Sequence, residues 1–144
     1  MRKLNKLRQL SWPAKQLLVQ SAFLLILVDM ALRVKGFKWT QLQLLERVSS
    51  VLRQDKLLPS EIATVVDLVA GYLLRDRSCL RRSMLLWWLL MCRGIESELK
   101  IGFERQAGKL NGHAWVEIGG QVLNDKATVQ TRFTLMQGDW TLLP

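Results

Sequence analysis

Arg77-Ser78-Cys79-Leu80-Arg81-Arg82-Ser83, running straight into the eight apolar residues Met84 to Met91, decides how this chain is read. The pattern predicts a helix over 78–93 that Gly94 ends, and a helix apolar on all sides belongs at the centre of a fold. Cys79 would occupy its first turn, directly after a capping Ser78. Unpaired amides and the positive end of the helix dipole favour a thiolate there. Arg75, Arg77, Arg81 and Arg82 surround that position in sequence. Cations in a first turn work against the dipole, so these arginines are expected to help hold a thiolate or an acidic substrate.

Downstream of Gly94 the pattern turns to strands. Residues 99–104 and 114–118 alternate, Gly119-Gly120 turns the chain into 121–125, and a last short strand is expected over 132–135. The chain's single histidine, His113, opens the second of these, and Asp125 follows it by 12 positions. A thiol, an imidazole to take its proton and a carboxylate to orient the imidazole make an activated cysteine nucleophile. Alone, each would read as an ordinary residue: a small buried thiol, a core histidine, a turn acid. Cys79, His113 and Asp125 together are the candidate catalytic set. Cys92 has no such partners and reads as buried.

Hairpin parity bears on the third member. Side chains alternate across a sheet, so His113 and its orienter must share a face. A strict two-residue Gly119-Gly120 turn would set His113 opposite Lys126 and make Asn124 its diagonal neighbour. A three-residue loop over 118–120 would set Asp125 directly opposite His113. The expectation is the three-residue loop, and Asp125.

Upstream, the chain reads as helices. Ser11, Pro13, the apolar series 17–34, then Arg33, Lys35 and Gly36 follow the order of cap, first turn, body, basic end and stop. Thr40 and Gln43 suggest a capping box opening a second helix, with Leu42, Leu45, Val48 and Leu52 on one face. Pro59-Ser60-Glu61 starts a third, with Ile62, Val65, Val66, Val69 and Leu73 on one face. The fold class is therefore α+β, a helical first half (1–76) and a core of central helix plus small antiparallel sheet (77–144), in one domain.

The chain has 144 residues and a net charge of +9, with eight basic residues against one acid in the first 38 positions. An acidic partner is implied, whether nucleic acid, membrane surface or peptide. No groove-reading motif accompanies the charge, so nucleic acid is not expected. Cys79 and Cys92 would sit about 20 Å apart along one helix, beyond disulfide reach, which points to a reduced, cytoplasmic setting. The apolar run 17–28 falls short of the roughly 20 residues that cross a bilayer, so a covered helix is favoured over a membrane span. One histidine and two separated cysteines supply no metal set, and no phosphate loop or cofactor motif is present.

Ser78-Cys79-Leu80-Arg81-Arg82-Ser83, Gly94, the strand ending at Phe103, His113-Ala114-Trp115-Val116-Glu117 and Val122-Leu123-Asn124-Asp125 resemble the stand-alone, transglutaminase-like leader peptidases of lasso-peptide biosynthesis. The resemblance is close over 62–125 and general before it. It implies a transglutaminase-like or papain-like core with Cys79 as nucleophile, His113 as base and Asp125 as orienter. The implied substrate is a ribosomally made precursor peptide, cut between leader and core, with Arg77, Arg81, Arg82 and Trp115 as candidate substrate contacts. The implied partners are a separate leader-binding protein and the ATP-dependent lasso cyclase. The short N-terminal region is expected to leave no room for a fused leader-binding domain. Only the amide of Cys79 is a candidate oxyanion donor. The open alternatives are an acyl-transferring enzyme with the same triad and a non-enzymatic basic helical protein for nucleic acid or membrane.

Overall fold

A computed structural model describes residues 10–48, 56–74 and 78–136. Its elements are helices α1 (Trp12–Lys35), α2 (Phe37–Val48), α3 (Pro59–Leu73) and α4 (Cys79–Met91), then strands β1 (Glu98–Gln106), β2 (Lys109–Ile118) and β3 (Gln121–Val122), a short helix α5 (Val129–Arg132) and strand β4 (Thr134–Leu135). The fold is α+β: a helical first half, then helix α4 lying on a four-stranded sheet of order β3-β2-β1-β4, with each described pairing antiparallel.

Helix α4 is central because its sequence leaves it no solvent face. Met84, Leu85, Leu86 and Leu90 are fully buried, and Trp87, Trp88 and Leu89 nearly so. Each such side chain contributes roughly 1.5–3 kcal/mol by leaving water. Helices α1, α2 and α3 pack around it from one side, while β1 and β2 meet it from the other. Trp88 also serves a polar purpose, donating its indole N–H to the Leu44 carbonyl of α2 at 2.8 Å. The helix ends with the Ile95 and Gly94 amides turned back to the Leu90 and Met91 carbonyls, a Schellman closure.

The first helix starts and stops where its punctuation predicts, with Ser11 before it and Gly36 after it. It is 24 residues long and, by length and composition, long and apolar enough to cross a membrane, which corrects the reading from the 17–28 run alone. One face, Ala14, Leu17, Ser21, Leu25 and Val28, is buried in the domain.

The second helix begins earlier than the proposed capping box allows. It opens at Phe37, so Thr40 lies inside it and turns its hydroxyl onto the Gly36 carbonyl at 2.8 Å, while Gln43 reaches Glu46. Leu42 on this helix and Leu73 on α3 are exposed rather than packed, and Leu52 lies outside the described residues. Helix α3 starts at Pro59 as expected, with the Glu61 carboxylate accepting the Leu58 amide at 2.8 Å.

In the sheet, β1 and β2 form a longer ribbon than the alternation marks, paired from Glu98↔Glu117 to Gln106↔Lys109. Arg132 belongs to α5 and not to the last strand, and from there its guanidinium clamps Glu104 of β1.

Replacing Trp88 with Phe keeps the ring packing and deletes the bond to Leu44. Urea unfolding is expected to show a loss of about 1–2 kcal/mol with an unchanged m-value.

Candidate active site

Cys79 is the first residue of α4 and a free, partly exposed thiol, whereas Cys92 is buried and in no disulfide. Two contacts fix what stands beside that first turn. Ser83, one turn after Cys79 on the same face, donates its hydroxyl to the Ala114 carbonyl at 2.9 Å, next to His113 in β2. Arg82 brings its guanidinium to 3.7 Å from the Asp125 carboxylate. The end of the helix that carries the thiol is therefore anchored at the strand that carries the imidazole.

His113 and Asp125 are bonded to each other, Nε2 to Oδ2 at 2.7 Å. An ionised carboxylate only accepts, so Nε2 donates in this bond and Nδ1 is the ring nitrogen left for another partner. Phe133 lies stacked on the imidazole with centroids 4.9 Å apart, and Trp115 stacks at 6.1 Å. The ring is thus fixed by its carboxylate at one edge and by two aromatic faces. Burial alone would raise the Asp125 pKa, but the Lys126 amide, the hydrogen bond and charge of His113, and the Arg82 guanidinium together hold it below the ordinary carboxylate value.

The route by which Asp125 arrives differs from the expected one. Glu117 pairs with Val122 and Ile118 with Gln121, so the hairpin is the strict two-residue Gly119-Gly120 form and not the three-residue loop. Both glycines have positive φ, 56° and 78°, as this tight turn requires. Parity then stops mattering, because the ladder ends almost at once. After the Leu123 amide bonds to the Val116 carbonyl at 2.9 Å, the chain bends away. The Asn124 side chain takes over the ladder's role, accepting the Val116 amide at 2.8 Å and donating to Ser83 Oγ at 2.9 Å. Asn124 is buried as a tie between helix and sheet, and the bend it makes delivers Asp125 to His113.

The remaining candidates fall to several places. Arg81 is held by Asp29 of α1 at 2.7 Å, and Arg82 lies between Asp67 and Asp125. Trp115 is 1 % exposed and donates to the buried Glu117 carboxylate, which also takes a bond from Gln130. Its contact within the site is therefore the histidine ring. Arg75 and Arg77 lie outside the described residues.

Sequence reasoning missed Phe133, Ser83 and Gly102. A Cβ on Gly102, which pairs with His113, would come within 2.9 Å of Phe133 Cβ and 3.0 Å of the Thr134 carbonyl. Only hydrogen fits between β1 and the segment that carries Phe133. A lone glycine inside an alternating strand is the signal that could have revealed this approach.

Comparison with known proteins adds two matches. The family model for the transglutaminase-like superfamily matches residues 24–138. The microcin J25-processing protein McjB of Escherichia coli is 29 % identical over 85 residues, which are 59 % of this chain and 39 % of that protein. The chain therefore spans well under half the length of this curated relative. No solved structure matches.

Asn124 and Asp125 are expected to separate cleanly on substitution. Asn124→Ala strands the Val116 amide and should cost about 2–3 kcal/mol of stability in urea titration. Asp125→Ala should stay within about 1 kcal/mol of the parent near neutral pH, while alkylation of Cys79 slows. Because the folded Asp125 pKa is depressed, its stabilisation is present above the unfolded value of 3.8 and is lost as pH falls through the folded one. The stability gap between parent and Asp125→Asn, followed by thermal unfolding, should accordingly shrink on acidification below about pH 4. Gly102→Ala should displace Phe133 and cost about 1–3 kcal/mol while also slowing Cys79 alkylation.

Proposed function

The chain belongs to the transglutaminase-like superfamily, and on that footing we propose that it is a cysteine peptidase that removes the leader from a ribosomally made lasso-peptide precursor. One observation carries the reading: the 2.7 Å bond between His113 and Asp125, set beside the first turn of the helix that Cys79 opens. The likeness to a protein named for processing microcin J25 supports a precursor peptide as substrate. So do the sequence features shared with lasso-peptide leader peptidases.

In this mechanism His113 accepts the Cys79 proton at Nδ1, since Nε2 is engaged by Asp125. The thiolate attacks the scissile carbonyl, and the oxyanion meets the amide of Cys79, at a helix end where amides lack intrahelical acceptors. The tetrahedral intermediate collapses as protonated His113 delivers its proton to the leaving amine. Water, deprotonated by the same imidazole, then clears the thioester and frees the leader's new carboxylate. Asp125 orients the ring and stabilises the imidazolium at both stages. Phe133 and Trp115 keep the ring in plane with its partner. A cytoplasmic, reducing setting suits a nucleophile that must stay a free thiol.

Cys79→Ala is expected to abolish cleavage of the precursor, read by mass spectrometry, with the circular dichroism spectrum unchanged, and Cys92→Ala to retain it. Persistent cutting by the Cys79 variant would refute the assignment. His113→Ala should slow alkylation of Cys79 at neutral pH by about a hundredfold or more. A separate leader-binding protein should accelerate the cut, and full activity from the chain alone would count against that partner.

A further inference from the structure

Helix α1 is apolar on two opposite faces, and only one of them is used by the fold. Ala14, Leu17, Ser21, Leu25 and Val28 are buried. Trp12, Val19, Phe23, Ile26, Leu27, Met30 and Val34 are exposed, five of them strongly: Trp12 73 %, Val19 69 %, Phe23 65 %, Met30 57 % and Val34 73 %. At about 100° per residue these seven positions fall within roughly a third of the helix circumference, directly opposite the buried set. They form one stripe about 33 Å long, interrupted only by the exposed Gln16, and an exposed apolar surface of that length marks an interaction site. Trp39 and Leu42 of α2, also exposed, prolong it around the corner.

The charges beside the stripe are what identify its occupant. Lys15 and Arg33 flank one edge and Lys35 and Lys38 follow at its end, with Lys35 lying over the Trp39 ring at 6.0 Å. The sequence sets Arg2, Lys3, Lys6 and Arg8 ahead of the helix. The one acid in α1, Asp29, is bonded to both Arg33 and Arg81. A second copy of the chain would bring the same cations against themselves, on a molecule already carrying +9. An anionic bilayer surface offers the reverse: headgroup phosphates for the lysines and arginines, acyl chains for Phe23 and Met30, and an interface that suits the tryptophans. Because the opposite face of α1 is packed on α3 and α4, the helix lies in the interface rather than across it.

We propose that this protein docks peripherally on anionic lipid membranes through the exposed stripe of α1, with the domain on the aqueous side. The proposal is independent of the peptidase chemistry.

The test is sedimentation of the full chain with vesicles of phosphatidylcholine alone and of phosphatidylcholine with about three parts in ten phosphatidylglycerol. Binding to the anionic vesicles, weak or absent on the neutral ones and falling as salt rises, is expected. Phe23→Ser with Met30→Ser should reduce binding about tenfold or more, and Lys15→Ala with Lys35→Ala about fivefold or more at low salt. Alkylation of Cys79 serves as the fold control and should be unchanged in both variants. Release of the bound protein by alkaline carbonate supports the in-plane seat, and resistance to it overturns that seat in favour of a span. Folded protein that stays in the supernatant with anionic vesicles overturns the proposal. So does a dimer in solution that Phe23→Ser with Met30→Ser dissolves, which would assign the stripe to a second copy.

Discussion

Ser83, Asn124 and the main chain of β2 close a small circuit of hydrogen bonds in which every member is buried. The Ser83 hydroxyl gives to the Ala114 carbonyl and takes from the Asn124 amide, whose oxygen takes the Val116 amide. Buried polar groups are costly when unpaired, so the circuit is held together as much by the penalty for opening it as by the worth of its bonds. It fixes the height of α4 against the sheet. It also turns the chain out of the ladder at the place where Asp125 must swing towards His113. Two of the proposed reacting groups thus owe their positions to residues with no proton-transfer role.

The arginines at the head of α4 look wrong for a helix N-terminus until their partners are included. Arg81 reaches Asp29 on α1, and Arg82 reaches Asp67 on α3 and Asp125 beyond β3. Each cation therefore offsets an acid from another element, and together they pin the first turn of α4 to two helices and to the site. The unfavourable dipole term, typically below about 1 kcal/mol near a surface, is outweighed by several such partnerships. What composition suggested as a grip on substrate is, for these two residues, at least a clamp on the scaffold.

Much of the fold was legible because burial leaves a periodic trace. The all-apolar run of α4 reflects its lack of a face to water, and the bounds of α1 and the proline start of α3 reflect backbone limits. Alternation located β1 and β2 even though residues 114–117 of β2 are buried on both faces. Legibility failed where one side chain chooses between equivalent local bonds. Thr40 can cap a helix or bond back within one, and its sequence neighbours do not say which. The hairpin failed differently. Parity correctly showed that a two-residue turn and a continued ladder would set Asn124, and not Asp125, near His113. What it could not supply was the bend, which depends on Ser83, 41 positions away from Asn124 in the chain. Asp125 was anticipated by its chemistry, while the path to it was set by a tertiary contact. Phe133 was invisible for the same reason, since its stacking partner is 20 residues upstream and is reached only because position 102 is a glycine.

The spacing of these contacts along the chain ties the whole candidate site to one long-range event, the docking of α4 on the sheet. His113 and Asp125 are 12 residues apart and joined by a tight hairpin, so their bond closes with a short loop. The thiol comes from a helix that reaches the sheet through the Ser83 contact to Ala114, across 31 residues, and is backed by α2 through the Trp88 contact to Leu44, across 44. Because the bend that brings Asp125 to His113 itself depends on Ser83, the imidazole gains its carboxylate only when that helix docks. Until the helix docks, thiol, imidazole and carboxylate stand apart, and on the proposed reading a partly folded molecule has no assembled means of cutting its neighbours or itself.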